Sequence, residues 1–362
     1  MENTTCWGKL INSLKANSHY LSKAVLVMST ISAAAPDCAA QATPRRALLV
    51  VSKVDHVLAI VDPATLLVVA RVPVGPDPHE VIASPDGQRA YVSNPGYGSF
   101  HELNVVDLTA QKVLPSLDTT PLLGPHGLAY VGGKLWFTAQ GSKAVGRYDP
   151  QTAKVDWSMG TGQNTTHMLH VTPDAKHLYT TNVGSGTVSL FEELLLPPTV
   201  PPTGVLPAGA KPRLDWVQTL VPVGQGAEGF DVSPDGRELW TATPEGVLSI
   251  VDLAHKKVAA TVNLKLLGAH RLAFTPDGRR VLLVSVRTGE LLVYDAAARK
   301  EIKRLTIGHG ATMLMDPVGN RALISCTPDN YIAIIDLKTL TVSGRLDVGG
   351  RPDGLAWAVR PD

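Results

Sequence analysis

"HEVIASPDGQRAYVSN" (79–94) is a phrase that returns six times along the chain in recognisable form. It reads as an apolar strand, a tight turn and a second strand, because proline presets φ for the turn and glycine accepts φ > 0. Successive copies start 41 to 47 residues apart, except for one longer gap. The copies are "HGLAYVGGKLWFTA" (126–139), "HMLHVTPDAKHLYTTN" (167–182), "EGFDVSPDGRELWTAT" (228–243), "HRLAFTPDGRRVLLVS" (270–285), "ATMLMDPVGNRALISC" (311–326) and the half copy "DGLAWAVRPD" (353–362).

Each full copy continues into a third strand that ends in V-x-D or a close variant and then a fourth, as in "GVLSIVDLAHKKVAATV" (246–262). Four short strands every 40 to 45 residues or so are the signature of a propeller blade whose innermost strand comes first. The first blade, residues 46–74, supplies only three strands, and "GLAWAVR" (354–360) supplies the missing inner one. We therefore predict an all-β, seven-bladed propeller whose C-terminal strand joins the N-terminal blade and leaves no free inner edge.

The predicted propeller is a single domain over residues 43–362. The longer gap between copies falls inside blade four, where "LLLPPTVPPTGVLPAGAKPR" (194–213) is rich in proline. Proline cannot donate a hydrogen bond to a sheet, so we expect this insert to be irregular and to form no ladder.

Residues 1–42 have the pattern of a secretory leader. Lys23 precedes the apolar run "AVLVMSTISAAA" (24–35), and an Ala-x-Ala site follows at 40–42. The run is too short to span a bilayer comfortably, so a cleaved signal peptide is favoured over a membrane span. We expect a periplasmic or secreted protein; the alternative is a disordered N-terminal arm.

Charge and cysteine content exclude several classes of function. The 33 Lys and Arg residues balance 32 Asp and Glu, and no basic block occurs, so a nucleic-acid partner is not expected. Beyond the leader, Cys326 is the single cysteine, and its strand-like surroundings are typical of a small buried hydrophobe. No C-x-x-C-H sequence occurs, which excludes a covalently attached c-type haem.

Titratable side chains gather at one position of the repeat, the start of the inner strand. Inner strands line the central channel, so these side chains should meet around one of its mouths. Four of the eleven histidines occupy this position. The predicted ring consists of His79, Glu80, His126, His167, Glu228, His270 and Asp353, with Arg271 and His309 beside it.

Imidazole and carboxylate together bind Zn, Cu, Mn or Fe, or carry out general acid–base chemistry. The metal ligands would be His79, His126, His167 and His270. Glu80 and Glu228 would orient ligands or act as base, and Asp353, His309 and Arg271 would contact a bound molecule. Two other interpretations stay open: a passive funnel that binds a ligand without chemistry, and a hydrated polar belt that ties the blades together.

The sequence motifs of the repeats resemble those of the YVTN-repeat β-propellers, specifically their exported bacterial YncE-like and lactonase-like members. The name-giving phrase appears as "AYVSN" (90–94) and in degenerate form as "LYTTN" (178–182), beside "PHEV" and "PHG" phrases. The resemblance implies a WD40-like seven-bladed ring outside the cytoplasm. The same architecture serves sugar lactonases, haem-d1 domains, copper enzymes and binding scaffolds, so it implies no single activity.

Two functional hypotheses follow. In the first, the channel mouth binds a metal or a small ligand and acts as a metal-dependent hydrolase, on lactone-like substrates by the resemblance, or as a redox protein. In the second, the ring is a non-catalytic platform for protein, glycan or cell-surface contacts. Whether the protein is an enzyme is left open by the sequence.

Overall fold

The computed structural model describes residues 41–361. The predicted leader lies outside the described residues apart from its last two positions, so the prediction of a signal peptide is not addressed by the structure. Within the described range there is no helix of the length and apolarity that a membrane crossing requires.

The chain folds into seven four-stranded antiparallel sheets, which confirms the predicted propeller. The strands are β1 (Arg46–Ser52), β2 (Val57–Asp62), β3 (Leu67–Pro73), β4 (Val81–Ala83), β5 (Arg89–Asn94), β6 (Glu102–Asp107), β7 (Lys112–Asp118), β8 (Pro125–Val131), β9 (Lys134–Ala139), β10 (Ala144–Asp149), β11 (Lys154–Gly160), β12 (Thr166–Val171), β13 (His177–Asn182), β14 (Thr187–Leu196), β15 (Arg213–Pro222), β16 (Phe230–Val232), β17 (Glu238–Ala242), β18 (Val247–Asp252), β19 (Lys257–Asn263), β20 (Ala269–Phe274), β21 (Arg280–Ser285), β22 (Glu290–Asp295), β23 (Lys300–Thr306), β24 (Thr312–Asp316), β25 (Arg321–Cys326), β26 (Tyr331–Asp336), β27 (Thr341–Leu346) and β28 (Pro352–Val359). Two short 3-10 turns, Gly96–Gly98 and Thr327–Asp329, lie in loops of blades two and seven.

Blade one has the strand order β28-β1-β2-β3, so the C-terminal strand closes the ring as predicted. The pairs Leu48↔Trp357 and Val50↔Leu355 set its register. A polar clasp strengthens this closure, because the guanidinium of Arg46 lies 2.7 Å from the buried carboxylate of Asp316 in blade seven. The same guanidinium stacks 3.6 Å from the ring of Trp357.

The core lies between neighbouring blades. The middle strands of each blade are almost fully buried, and their side chains alternate between the two adjacent sheets. Leu49 and Ile60 of blade one, for example, pack with Val92 and Val106 of blade two. Each such side chain stabilises the fold by roughly 1.5–3 kcal/mol relative to exposure.

Hydroxyls on second strands hold the inner strand of the next blade. Thr138 donates to the carbonyl of His167 at 2.5 Å, Thr181 to that of Glu228 at 2.6 Å, and Ser325 to that of Asp353 at 2.7 Å. The hydroxyl residue of the repeated phrase therefore fixes the backbone of the titratable residue that begins the following blade.

The proline-rich insert differs from its prediction at both ends. The expectation that residues 194–213 form no ladder is wrong for Leu194–Leu196, which pair with Arg213–Asp215 in a long hairpin of β14 and β15. The prolines run from Pro197 to Pro212, so the residues outside them keep the amide hydrogens that a ladder needs. Residues 197–212 contain no strand.

Candidate functional site

The inner strands bring their first residues together around one mouth of the channel, as predicted. The mouth is a cavity of about 660 Å³. Eight of the nine candidate residues line it, and His309 does not. The lining comprises Lys53, Val54, Asp77, His79, Glu80, Pro95, Tyr97, His126, Gln140, His167, Glu228, His270, Arg271, Val286, Ala311, Thr327, Pro328, Arg351 and Asp353.

His309 is held away from the cavity by a carboxylate of its own blade. Its Nδ1 lies 3.1 Å from Asp329 Oδ1, and its amide donates to Asp329 Oδ2 at 2.6 Å. The residue precedes the inner strand by three positions, where the chain has not yet reached the axis. The structure therefore places His309 in a loop contact rather than among the cavity-lining side chains.

Glu228 bridges two imidazoles on the cavity wall. Its Oε1 lies 3.3 Å from His167 Nε2, and its Oε2 lies 3.0 Å from His270 Nε2. His270 also contacts the carbonyl of Ala311 through Nδ1, at 2.8 Å. Both nitrogens of His270 thus face acceptors, which is the environment of an imidazolium that donates twice.

The electrostatics of this group favour a charged His270 beside a neutral His167. Burial opposes the charged form of His270, but the carboxylate of Glu228 outweighs it and raises the pKa of that imidazole. Burial lowers the pKa of His167 to about 4 despite the same carboxylate. Burial also opposes ionisation of Glu228, yet His270 first and then His167 and Arg271 hold the pKa of its carboxyl below the usual range. Glu228 is therefore a stable carboxylate and a weak base.

Arg271 reaches across the channel from the lining of the cavity. Its Nη2 lies 2.6 Å from Oε1 of Glu80, although Arg271 belongs to blade six and Glu80 to blade two. The same nitrogen lies 3.9 Å from Glu228 Oε1. Gly229 makes room for this side chain, since a Cβ there would lie 2.6 Å from Arg271 Cδ. The ion pair therefore links the inner strands of two blades that are not neighbours, across the channel.

Lys53 organises the opposite side of the mouth. Its Nζ lies 2.6 Å from His79 Nε2 and 3.2 Å from Asp353 Oδ2. The other oxygen of Asp353 accepts the hydroxyl of Thr312 at 2.9 Å. His79 Nδ1 lies 3.0 Å from the carbonyl of Asp77, so that nitrogen donates and Nε2 accepts from the lysine. Lys53 was not predicted from the sequence; its one signal is its place in the loop between β1 and β2, the second and third strands of blade one, which faces the mouth.

Three buried nitrogens in the lining have no hydrogen-bond partner among residues 41–361: His126 Nδ1, His167 Nδ1 and Arg271 Nε. The His126 and His167 rings meet edge to face with centroids 3.8 Å apart, and His79 lies 5.1 Å from His126. Burial holds the pKa of His126 well below its usual value, and neighbouring His167 lowers it further. A neutral imidazole pair therefore lies beside the charged bridge.

The four histidines predicted as metal ligands do not point to one centre. Both nitrogens of His79 and both of His270 are already engaged within the chain. Among residues 41–361, no group of three or more His, Cys, Asp or Glu side chains is arranged to hold a metal ion. His126 and His167 retain a free nitrogen each, so a metal would require the other imidazoles to rotate.

Comparisons with known proteins identify the fold and no family. No family model matches the chain, and no curated protein does. Solved structures are similar at low identity. A functionally unknown protein from Desulfotomaculum acetoxidans has a TM-score of 0.66 at 13% identity, with 87% of this chain and 99% of that chain covered. A candidate 6-phosphogluconolactonase from Bacteroides fragilis has 0.65 at 16%, covering 88% and 99%. Kuenenia stuttgartiensis hydrazine synthase has 0.62 at 19%, covering 77% and 89%.

Proposed function

We propose that this protein binds a small polar molecule in the channel mouth. The observation that carries the proposal is the cavity of about 660 Å³ at the channel mouth, which has the size of a small-molecule site. The Arg271–Glu80 ion pair crosses the channel at this cavity. Charged and titratable groups converge on it from blades one to six.

A purely structural polar belt is disfavoured by the buried nitrogens without partners. An unsatisfied buried donor or acceptor costs folding free energy of about 1–3 kcal/mol. His126, His167 and Arg271 each carry one such nitrogen. A belt selected for stability would pair these atoms or replace them with apolar ones. The cost supports a role in binding.

The charged residues of the pocket indicate which chemical groups its ligand carries. Each inner carboxylate already has a cationic partner: Glu80 has Arg271, Glu228 has His270, and Asp353 has Lys53. The pocket therefore does not need an ion to balance it. Its carboxylate oxygens and imidazole nitrogens can still accept hydrogen bonds, and Lys53 and Arg271 can donate. Hydroxyl groups, which donate and accept, suit this lining best.

A second candidate is hydrolysis of a lactone, favoured by the imidazolium of His270 beside Glu228. In this reaction a water oxygen adds to the carbonyl carbon, the ring C–O bond breaks, and His270 donates its proton to the departing ring oxygen. The proton that the water releases passes to solvent at the open mouth. Glu228 orients both rings as a positioning residue, because its low pKa makes it a poor base. The fold of the Bacteroides fragilis neighbour makes sugar lactones the first substrates to test.

Metal binding by His79, His126, His167 and His270 stays a prediction. Elemental analysis of protein purified without a His-tag tests it. One equivalent of Zn, Cu, Mn or Fe that disappears in the double variant His126→Ala, His167→Ala would establish a metalloprotein. We also propose membership of the YVTN-repeat group, on the "AYVSN" phrase (90–94), and export, on the leader pattern of residues 1–42.

Calorimetric titration tests the binding proposal. The probes are methyl β-D-glucopyranoside, D-sorbitol and D-glucono-1,5-lactone, the last also followed by proton release. We expect one molecule bound per chain and at least about tenfold weaker binding in Glu228→Gln, since that change removes a charged acceptor. Glu301→Gln is the matched control, because Glu301 is exposed on β23, the outermost strand of blade six. Equal binding by both variants, or no binding of any probe by the wild type, would contradict the proposal.

A further inference from the structure

Tyr97 stands fully exposed at the rim of the cavity. Its relative exposure is 101%, yet it is one of the residues that line the mouth. Tyrosine commonly buries most of its ring against other side chains. Here the whole side chain is exposed to solvent at the rim of a cavity that is also lined by charged and titratable residues.

The backbone of Tyr97 is in a conformation that disfavours side chains. Its φ is 52° and its ψ is 32°, the left-handed region. The residues on either side, Gly96 and Gly98, also have positive φ, and both are glycines. A third glycine would fit the turn with less strain. Fourteen other non-glycine residues in the described part of the chain also have positive φ, so it is the exposure of the side chain at the cavity that sets Tyr97 apart.

The turn that carries Tyr97 is fixed in place rather than loose. The carboxylate of Asp77 accepts the amide of Gly96 at 2.9 Å, and Ser99 donates its hydroxyl to the carbonyl of Gly96 at 2.5 Å. The turn also packs backbone to backbone on the blade-three loop, where a Cβ on Gly141 would lie 2.0 Å from the carbonyl oxygen of Gly98. Contacts with two blades therefore hold the backbone of the turn in place at the rim.

We infer that Tyr97 is the stacking surface for the ligand, and that the ligand of the channel mouth is a ring. The inference rests on the proposed binding function. A cyclic molecule can lay its flat face on Tyr97 while hydroxyls on its edge reach the carboxylates and imidazoles below. An open-chain polyol offers the same hydroxyls without the face. Tyr97 thus selects for ring shape, and the polar lining selects for hydroxyls.

A matched pair of probes separates these two contributions. Methyl β-D-glucopyranoside has a ring that carries four hydroxyls, and D-sorbitol is an open chain that carries six. By titration calorimetry we expect Tyr97→Ala to weaken binding of the ring about tenfold and binding of sorbitol by less than about twofold. Tyr97→Phe keeps the aromatic face and should bind the ring like the wild type. Val318→Ala, a change at another exposed apolar residue away from the mouth, is the control.

Tyr97→Gly distinguishes a ligand contact from a structural role. Glycine relieves the left-handed strain, so the melting temperature should stay the same or rise while ring binding weakens as in Tyr97→Ala. A clear fall in melting temperature would mean that Tyr97 supports the fold, and would overturn the inference.

The remaining outcomes are distinguishable. If the wild type binds the ring and Tyr97→Ala binds it equally well, the stacking inference is wrong and the binding function stands. If the wild type binds none of the probes, the proposed function fails and the stacking inference with it. If Tyr97→Ala instead abolishes self-association in sedimentation velocity, Tyr97 is a protein contact, which also overturns the inference.

Discussion

Arg271 in blade six and Glu80 in blade two form an ion pair of 2.6 Å across the axis of the propeller. The two residues are 191 positions apart in the chain, and their blades are not neighbours in the ring. Both side chains are nearly buried, with exposures of 9% and 12%. This pair joins opposite sides of the ring within the lining of the mouth.

Breaking the pair on one side should destabilise the protein strongly. Arg271→Met leaves Glu80 buried without its cation, which we expect to lower the free energy of unfolding by about 3–5 kcal/mol. Replacing both residues with Met should restore most of that loss, because no unpaired charge remains. Urea unfolding at pH 7 measures both effects.

The exposed pair Arg213–Asp215 provides the control for that measurement. Arg213→Ala should change the free energy of unfolding by less than about 0.5 kcal/mol, because surface ion pairs contribute little. A loss in Arg271→Met as small as this would mean that water already solvates the central pair.

Asp231 should make stability depend on pH. Burial raises the pKa of its carboxyl to about 6, although the amides of Phe274 and Val232 donate to it. The folded pKa lies above the unfolded value, so folding favours the protonated acid. Its contribution is complete below about pH 4 and is lost as pH rises through 6. Relative to Asp231→Asn, the wild type should lose about 3 kcal/mol between pH 4 and pH 7. If the free energies of unfolding of the wild type and of Asp231→Asn differ by the same amount at pH 4 and at pH 7, the prediction is contradicted.

Ring closure should depend on Asp316. Its buried carboxylate accepts from Arg46 at 2.7 Å and from Arg321 at 2.9 Å. We expect Asp316→Asn to cost about 3 kcal/mol, because two cations lose a charged partner. Amide exchange should accelerate first in β28 and β1, the strands that close the ring. Uniform acceleration over all seven blades would show instead that the clasp acts on the whole domain.

Gly354 should be intolerant of a side chain. A Cβ at this position would lie 2.3 Å from the carbonyl oxygen of His79, which accepts the amide of Gly354 at 2.9 Å. Gly354→Ala should therefore cost about 1–3 kcal/mol through overpacking. Gly160→Ala is the matched control, since no atom lies within 4 Å of a Cβ there. Equal melting temperatures for the two variants would contradict the predicted close approach.

Most of the fold was readable from the sequence because every blade repeats the same turn chemistry. The closure of the ring was predicted from two observations. Residues 46–74 lack an inner strand, and residues 353–362 form a half repeat without a blade of its own. The ends of the blade-four hairpin were not predicted, because the insert was judged by its overall proline content. Its prolines lie only between residues 197 and 212, and the flanking residues pair.

Only part of the site could be predicted from the sequence. Repeat position predicted which residues reach the mouth, since equivalent positions converge in a ring. It could not predict what they contact. Side chains alternate in a regular strand, but the register of β20 shifts between Ala269 and Leu272, and both His270 and Arg271 line the mouth. Gly229 leaves the space that the Arg271 side chain occupies. Lys53 and Tyr97 come from loops, where no periodicity predicts direction.

A crystal structure grown with methyl β-D-glucopyranoside tests the central claim most directly. We predict the sugar in the channel mouth, its ring over Tyr97 and its hydroxyls within hydrogen-bond distance of Glu228, His270 or Asp353, above an intact Arg271–Glu80 pair. A sugar bound elsewhere on the propeller, or a metal ion held by His79, His126 and His167 in a mouth without sugar, would contradict the account.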